Sequence, residues 1–147
     1  MALKRSSEIQ GGSAYFKPAE FADAVALLIE PKSVQRDVPN TYAGVTKNRD
    51  EVTADVTAFQ TAADLASGNG VVFPAMTFTH PGITNRLSRA LDEAVVGKMG
   101  KKQFEKAPAP AWVVDDVDDA TFDKVSEFYD AREEAVKAAL ASVPSFG

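Results

Sequence analysis

At 147 residues, 45% of them hydrophobic, the chain can bury the core of one domain and is short for two. The absence of cysteine and the single histidine exclude a disulfide framework, a thiol nucleophile and the usual thiolate or multi-histidine metal sites. No run approaches the roughly 20 apolar residues of a membrane helix, and Met1 to Glu8 lacks the apolar centre of a signal peptide, so a soluble, cytoplasmic protein with no membrane partner is expected.

In chain order, residues 1–14 are polar, end in Gly11-Gly12-Ser13 and read as a flexible arm, with order beginning near Tyr15. The apolar run Ala22 to Ile29 is read as a strand. It continues through Pro31, where a bulge or bend is expected, into Lys32 to Asp37 with Arg36 near its end. Val38 to Asn48, rich in turn formers, predicts a loop carrying Tyr42 and Lys47, with Arg49 at its exit. Glu51 to Phe59 alternates strictly, with Val52, Ala54, Val56 and Ala58 on one face, and predicts a half-buried strand that ends in an exposed Phe59. A polar connection from Thr61 to Gly70 leads to a third strand, Val71 to Thr79, which Pro74 places at an edge or bulge.

The period then changes. Ile83, Leu87, Ala90 and Leu91 share one helical face after Pro81-Gly82, predicting a short amphipathic helix. Ala94 to Met99 and Ala111 to Val114 read as strands four and five, separated by a basic stretch, Gly100 to Pro110. Asp119 to Ala141 carries Phe122, Val125, Phe128, Tyr129, Arg132, Val136 and Leu140 at helical spacing, with Asp118 and Asp119 placed to cap its start. Phe73, Phe78, Ile83 and Leu87 are expected in the core.

This order predicts a mainly β fold with helices: a five-stranded OB-type β-barrel over residues 15–117, with a helix between strands three and four. A C-terminal acidic α-helix over residues 118–142 and a tail at 143–147 complete the chain. The net charge of −5 is unevenly spread. From Asp115 onward there are nine acidic and three basic residues, whereas Met1 to Val114 has thirteen basic and twelve acidic. Lys98, Lys101, Lys102 and Lys106 form the most basic window and interleave with Phe104 and Trp112. Single-strand binding needs that mixture, because phosphates require cations and unstacked bases require flat apolar partners.

Three motifs weigh little. A turn role for His80, before Pro81-Gly82, outweighs catalysis, since no nucleophile motif accompanies it. Gly97 to Lys102 fails as a phosphate-binding loop because Val95 stands in place of the first glycine and Lys102 in place of the hydroxyl residue. Asp115-Asp116-Val117-Asp118-Asp119 lacks the glycine and distal glutamate of a calcium loop, so neither metal nor other cofactor is expected.

The segments Thr84-Asn85-Arg86-Leu87-Ser88-Arg89-Ala90-Leu91, Val95-Val96-Gly97-Lys98-Met99-Gly100-Lys101 and Pro110-Ala111-Trp112-Val113-Val114-Asp115-Asp116 resemble small OB-type single-stranded-DNA-binding proteins of actinobacterial phages. The resemblance spans roughly residues 22–123. It implies a role in phage DNA replication or recombination in the host cytoplasm, with replication or recombination proteins as further partners. The end of the chain, Val143-Pro144-Ser145-Phe146-Gly147, echoes only loosely the Pro-Phe tip of bacterial single-strand binders. The expectation is therefore a non-enzymatic binder of single-stranded DNA. Arg36, Lys47, Arg49, Lys98, Lys101, Lys102 and Lys106 would meet phosphates; Tyr42, Phe59, Phe104 or Trp112 would meet bases. An edge strand at residues 71–79 offers a route to homo-oligomers. The alternative is a virion component or host-enzyme inhibitor that uses the barrel as a scaffold, with the acidic helix as its contact face.

Overall fold

The computed structural model describes residues 15–105 and 109–141; the expected flexible arm, Lys106 and the tail lie outside the described residues. The chain forms β1 (Ala26–Tyr42), β2 (Val45–Phe59), α1 (Ala62–Ser67), β3 (Val71–Phe78), α2 (Pro81–Leu87), β4 (Val95–Lys102), β5 (Ala111–Asp115) and α3 (Asp119–Ala141). The five strands make one sheet in the order β3-β2-β1-β4-β5, with every pairing antiparallel.

The apolar run at the start of β1 is continuous because β1 is the middle strand and both of its faces are covered. Leu27 and Ile29 join Val52, Ala54, Val56, Ala58, Phe78, Ile83 and Leu87 in the main core. Ala26 and Leu28 turn to the other face and meet Phe59, Leu65 and Val125, which brings α1 and α3 onto the back of the sheet. Phe78, Ile83 and Leu87 are core residues as expected, and Phe73 packs against them.

The sheet is not closed. Among the described residues no pairing joins β3 to β5, so the closed barrel expected from element order gives way to an open sheet with covered edges. At the β5 edge α2 takes the place of a strand. Gly82 comes so near that a Cβ there would sit 2.7 Å from the Trp112 carbonyl, and Arg86 donates to the Val114 carbonyl at 3.2 Å. Those are carbonyls a neighbouring strand would otherwise use. At the β3 edge the Phe16 N–H donates to the Thr77 carbonyl, and Phe16 stacks between Phe21 and Phe78 at 4.6 and 4.2 Å. Residues Pro18–Phe21 there form a 3-10 turn, so the first strand begins at Ala26 rather than Ala22.

The predicted loop from Val38 to Asn48 is a β-ribbon. Pairing runs without a break from Val38 opposite Arg49 to Tyr42 opposite Val45, leaving only Ala43-Gly44 as the turn. Both turn residues have positive φ, 52° and 79°, the geometry that lets a two-residue turn follow the strand twist. Pro39 is tolerated because this ribbon projects beyond the third strand on either side, so its missing N–H breaks no second ladder. The expected irregularity at Pro31 is present as a register shift between Pro31 and Ser33, and a second one falls between Gln35 and Val38. Pro74 likewise lies in a shift between β2 and β3, where the Asp55 carboxylate accepts from the Ala75 N–H at 2.8 Å.

The polar connection after Phe59 contains a helix that the polarity of Thr61 to Gly70 concealed. Thr61 caps α1 by accepting from the Asp64 N–H, and Gly68 ends it in the left-handed conformation. α3 spans Asp119–Ala141 as expected, and Asp118 accepts from the Thr121 N–H at 2.7 Å. That cap holds the Asp118 carboxyl below its usual range. Arg132 fastens the helix to β1 through a paired contact with both carboxylate oxygens of Glu30, at 2.9 and 3.0 Å. Arg132→Gln should cost about 1–2 kcal/mol in urea unfolding by leaving the half-buried Glu30 carboxylate unpaired. The added Glu30→Gln substitution should return part of that loss.

Candidate nucleic-acid interface

Pleating sorts the basic window of β4 onto two faces, because successive residues of a strand point oppositely. Lys101 lies directly across from Trp112, on the side that carries Met99 and Val114 into the core. Lys98 and Lys102 project from the other side, facing Asp115 and Ala111. Lys98, Lys101 and Lys102 are therefore not one track, and Lys101 and Lys102 belong to the strand rather than to the loop after it.

Two cation–aromatic pairs mark the end of this hairpin. The Lys101 ammonium sits 4.6 Å from the centre of the Trp112 ring, and the Lys102 ammonium 5.3 Å from that of Phe104. Phe104 is 38% exposed, while Trp112 keeps one side against the core. An exposed cation over a ring contributes about 0.5–1 kcal/mol. That hold is weak enough for each lysine to swing toward a phosphate.

Two of the other predicted cations, Arg36 and Arg49, are held by carboxylates. Arg36 pairs with Asp50 at 2.9 Å; the Asp37 N–H and Arg36 together hold the Asp50 carboxyl below its usual range. Arg49 pairs with Glu51 at 3.0 Å and also lies 5.8 Å from the centre of the Tyr15 ring. Lys98 stands opposite Asp115 and near enough to Asp118 to lower its pKa. Lys47 is exposed on the ribbon opposite Asn40. Tyr42 closes the ribbon by pairing with Val45, and its side chain lies outside what the structure describes, as does Lys106.

Phe59 is not exposed. It is 0% accessible and meets Phe128 edge-on at 5.1 Å, beneath α1 and α3. Strict alternation put it on the polar face of β2. That face is covered from Thr57 onward, so Phe59 cannot stack on a base. Tyr15, 55% exposed and beside Arg49, is an aromatic candidate that sequence reasoning passed over, because nothing in the polar arm before it announced the contact.

The ribbon base and the β4–β5 end are linked through the start of α2. His80 feels the charge of Arg49, and Gly82, two residues on, abuts Trp112. The His80 carbonyl accepts from the N–H groups of Ile83 and Thr84, which is the expected turn role, but its Nδ1 is buried without a hydrogen-bond partner. Burial first, then Arg49, push its pKa below the ordinary 6.5. As pH falls through 6.5 the unfolded chain takes up the proton before the folded one, so stability present above that value should decline in mildly acidic buffer. His80→Gln should flatten this slope in thermal melts; an unchanged slope would assign it to other groups.

Among the described residues no helix is long and apolar enough to cross a membrane. Comparison with known proteins returns no match: no family model, no curated protein and no solved structure aligns with this chain.

Proposed function

We propose that this protein binds single-stranded DNA without catalysis and largely without regard to sequence, through the end of the β4–β5 hairpin and the base of the β1–β2 ribbon. The observation that carries the reading is two cation–aromatic pairs at one end of the hairpin, Lys101 with Trp112 on one side of the strand and Lys102 with Phe104 on the other. Each pair offers a cation for a phosphate beside a flat surface for a base, the combination that sequence-tolerant single-strand binding uses. Strand order supports it. A sheet ordered β3-β2-β1-β4-β5 with a helix between β3 and β4 matches an OB-type barrel opened between its third and fifth strands, and that fold binds oligonucleotides with the loops after its first and fourth strands. With the resemblance to actinobacterial phage single-strand binders, the process served is phage DNA replication or recombination in the host cytoplasm.

Fluorescence anisotropy of a labelled all-thymine oligomer, titrated at low and high salt, tests this. Saturable binding that weakens steeply with salt is expected, since phosphate neutralisation releases counterions. An oligomer left free at low salt would sink the reading. A second reading, a virion component or inhibitor of a host enzyme, draws on α3, whose residues from Glu133 to Ala141 are all exposed, Leu140 at 68%. Co-purification with virions or a host protein in place of nucleic acid would favour it.

A further inference from the structure

Between α2 and the outer face of the β4–β5 hairpin lies a cleft of about 490 Å³, within the range of small-ligand sites. Its floor is Ala111 and Val113, and the backbone at Pro81-Gly82 forms one wall. Gly82 keeps that wall low, because α2 is held against the Trp112 carbonyl and has no side chain there.

The two ends of the cleft differ in chemistry. At one end Lys102, opposite Ala111, stands with Phe104. At the other, Asp115 lies with its carboxylate over Gly100, and Arg86 reaches across from α2 to the Val114 carbonyl, with Asn85 beside it. Ala111 and Asp115 are four residues apart on one strand, roughly 13 Å between their backbones, and the Asp115 carboxylate leans back over Gly100 toward the middle of the cleft. That span takes a single nucleotide and no longer segment. A lone cation with an aromatic suits a phosphate and its sugar. A guanidinium beside a carboxylate suits an edge that presents an acceptor next to donors.

Guanine has that edge. Its O6 accepts, while N1–H and the 2-amino group are adjacent donors that one carboxylate can take together; adenine and cytosine each offer a single amino donor and thymine a single ring N–H. We infer that this cleft is a binding site for one guanine nucleotide, with Lys102 on the phosphate, Val113 beneath the base, and Arg86 and Asp115 on its O6 and N1–H/2-amino edge. It rests on the DNA-binding reading only for the source of the nucleotide, which is either a residue of a bound strand or a free mononucleotide. Elsewhere along the strand, binding stays tolerant of sequence.

The test is an NMR titration of the labelled protein with deoxyguanosine monophosphate, deoxycytidine monophosphate and inorganic phosphate, following the amides of Gly82 and Val113. Deoxyguanosine monophosphate should shift both saturably and bind roughly tenfold tighter than the cytidine compound. Asp115→Asn should bring that ratio close to one, while Lys102→Ala should weaken both nucleotides equally. Both side chains are exposed, and the remaining amide resonances report directly whether each variant is folded. Unshifted cleft amides, or a guanine preference that survives Asp115→Asn, would overturn the assignment.

A parallel arm separates the two sources. Given the mononucleotide shift at the cleft, a central guanine that improves the affinity of the all-thymine oligomer means that the site takes a residue of the strand, and one that changes nothing means that it takes the free compound. Both results support the cleft. Mononucleotide binding without any oligomer binding would remove the DNA reading and leave the cleft assignment standing. Oligomer binding with no mononucleotide shift at the cleft would do the reverse.

Discussion

Phe59→Ala is expected to lower the unfolding free energy by about 3–4 kcal/mol, the largest single effect among the substitutions considered. The ring is fully enclosed between the sheet and the two helices behind it, touching the cluster of Ala26, Leu28, Leu65 and Val125 and lying edge-on to Phe128. Its removal opens a void that rigid strands on one side cannot fill, so both the lost transfer energy and the cavity contribute. Urea unfolding measures the loss. Phe59→Leu keeps most of the volume and should cost much less, with oligonucleotide affinity unchanged. If Phe59→Leu weakened DNA binding while leaving stability intact, the ring would be working at the surface and its enclosure would be wrong.

The second large effect concerns binding. Replacing Lys101 and Lys102 together by alanine should reduce affinity for an all-thymine oligomer roughly ten- to hundredfold at low salt. The slope of log affinity against log salt should become shallower by about 1.4, roughly 0.7 for each phosphate contact removed from a single strand. Stability should hardly change, since each lysine gives up only an exposed contact with a ring. Arg36→Ala is the natural comparison: the Asp50 carboxylate already balances that charge at 2.9 Å, so its loss should leave the slope near the original. Equal losses from both variants would mean that a diffuse field, rather than the hairpin end, attracts the strand.

These expectations show how far the sequence speaks. β2 was legible from Glu51 onward because it buries one stripe at a fixed period, and α3 because its apolar residues repeat at helical spacing, although Val125 alone among them is fully buried. The stripe read for α2 was half right: Ile83 and Leu87 lie in the helix, but it ends at Leu87, and Ala90 and Leu91 fall in the turns after it. The ribbon was not legible. Pro39, Asn40, Gly44 and Asn48 are turn formers, yet only Gly44 sits in the turn, and the rest are allowed in strands that lack a third partner. α1, six residues long, is too short for its period to show, although Thr61 three places before Asp64 marks its start.

For the site, residue types were readable and their sides were not. The run from Lys98 to Lys102 shows three lysines close together in sequence, but only the register against Ala111 to Asp115 reveals that Lys101 and Lys102 part company. Carboxylate neutralisation of Arg36 by Asp50 joins residues fourteen apart across a bulge, which no local pattern displays. The Phe59 error has the same origin. Alternation says which side a residue takes, and only tertiary packing says whether that side is wet.

Burial of β1 on both faces also sets a timetable. The Ala26–Leu28 side of the strand is sealed by Val125 and Phe128, and the Glu30 carboxylate finds its guanidinium 102 residues later. At a synthesis rate of about 5–20 residues per second, an emerging chain carries this greasy stripe uncovered for on the order of 5–20 s. During that interval the nascent protein is at its most vulnerable to mispairing with its neighbours. A messenger cut short before the codon for Val125 would yield a sheet whose back is permanently adhesive.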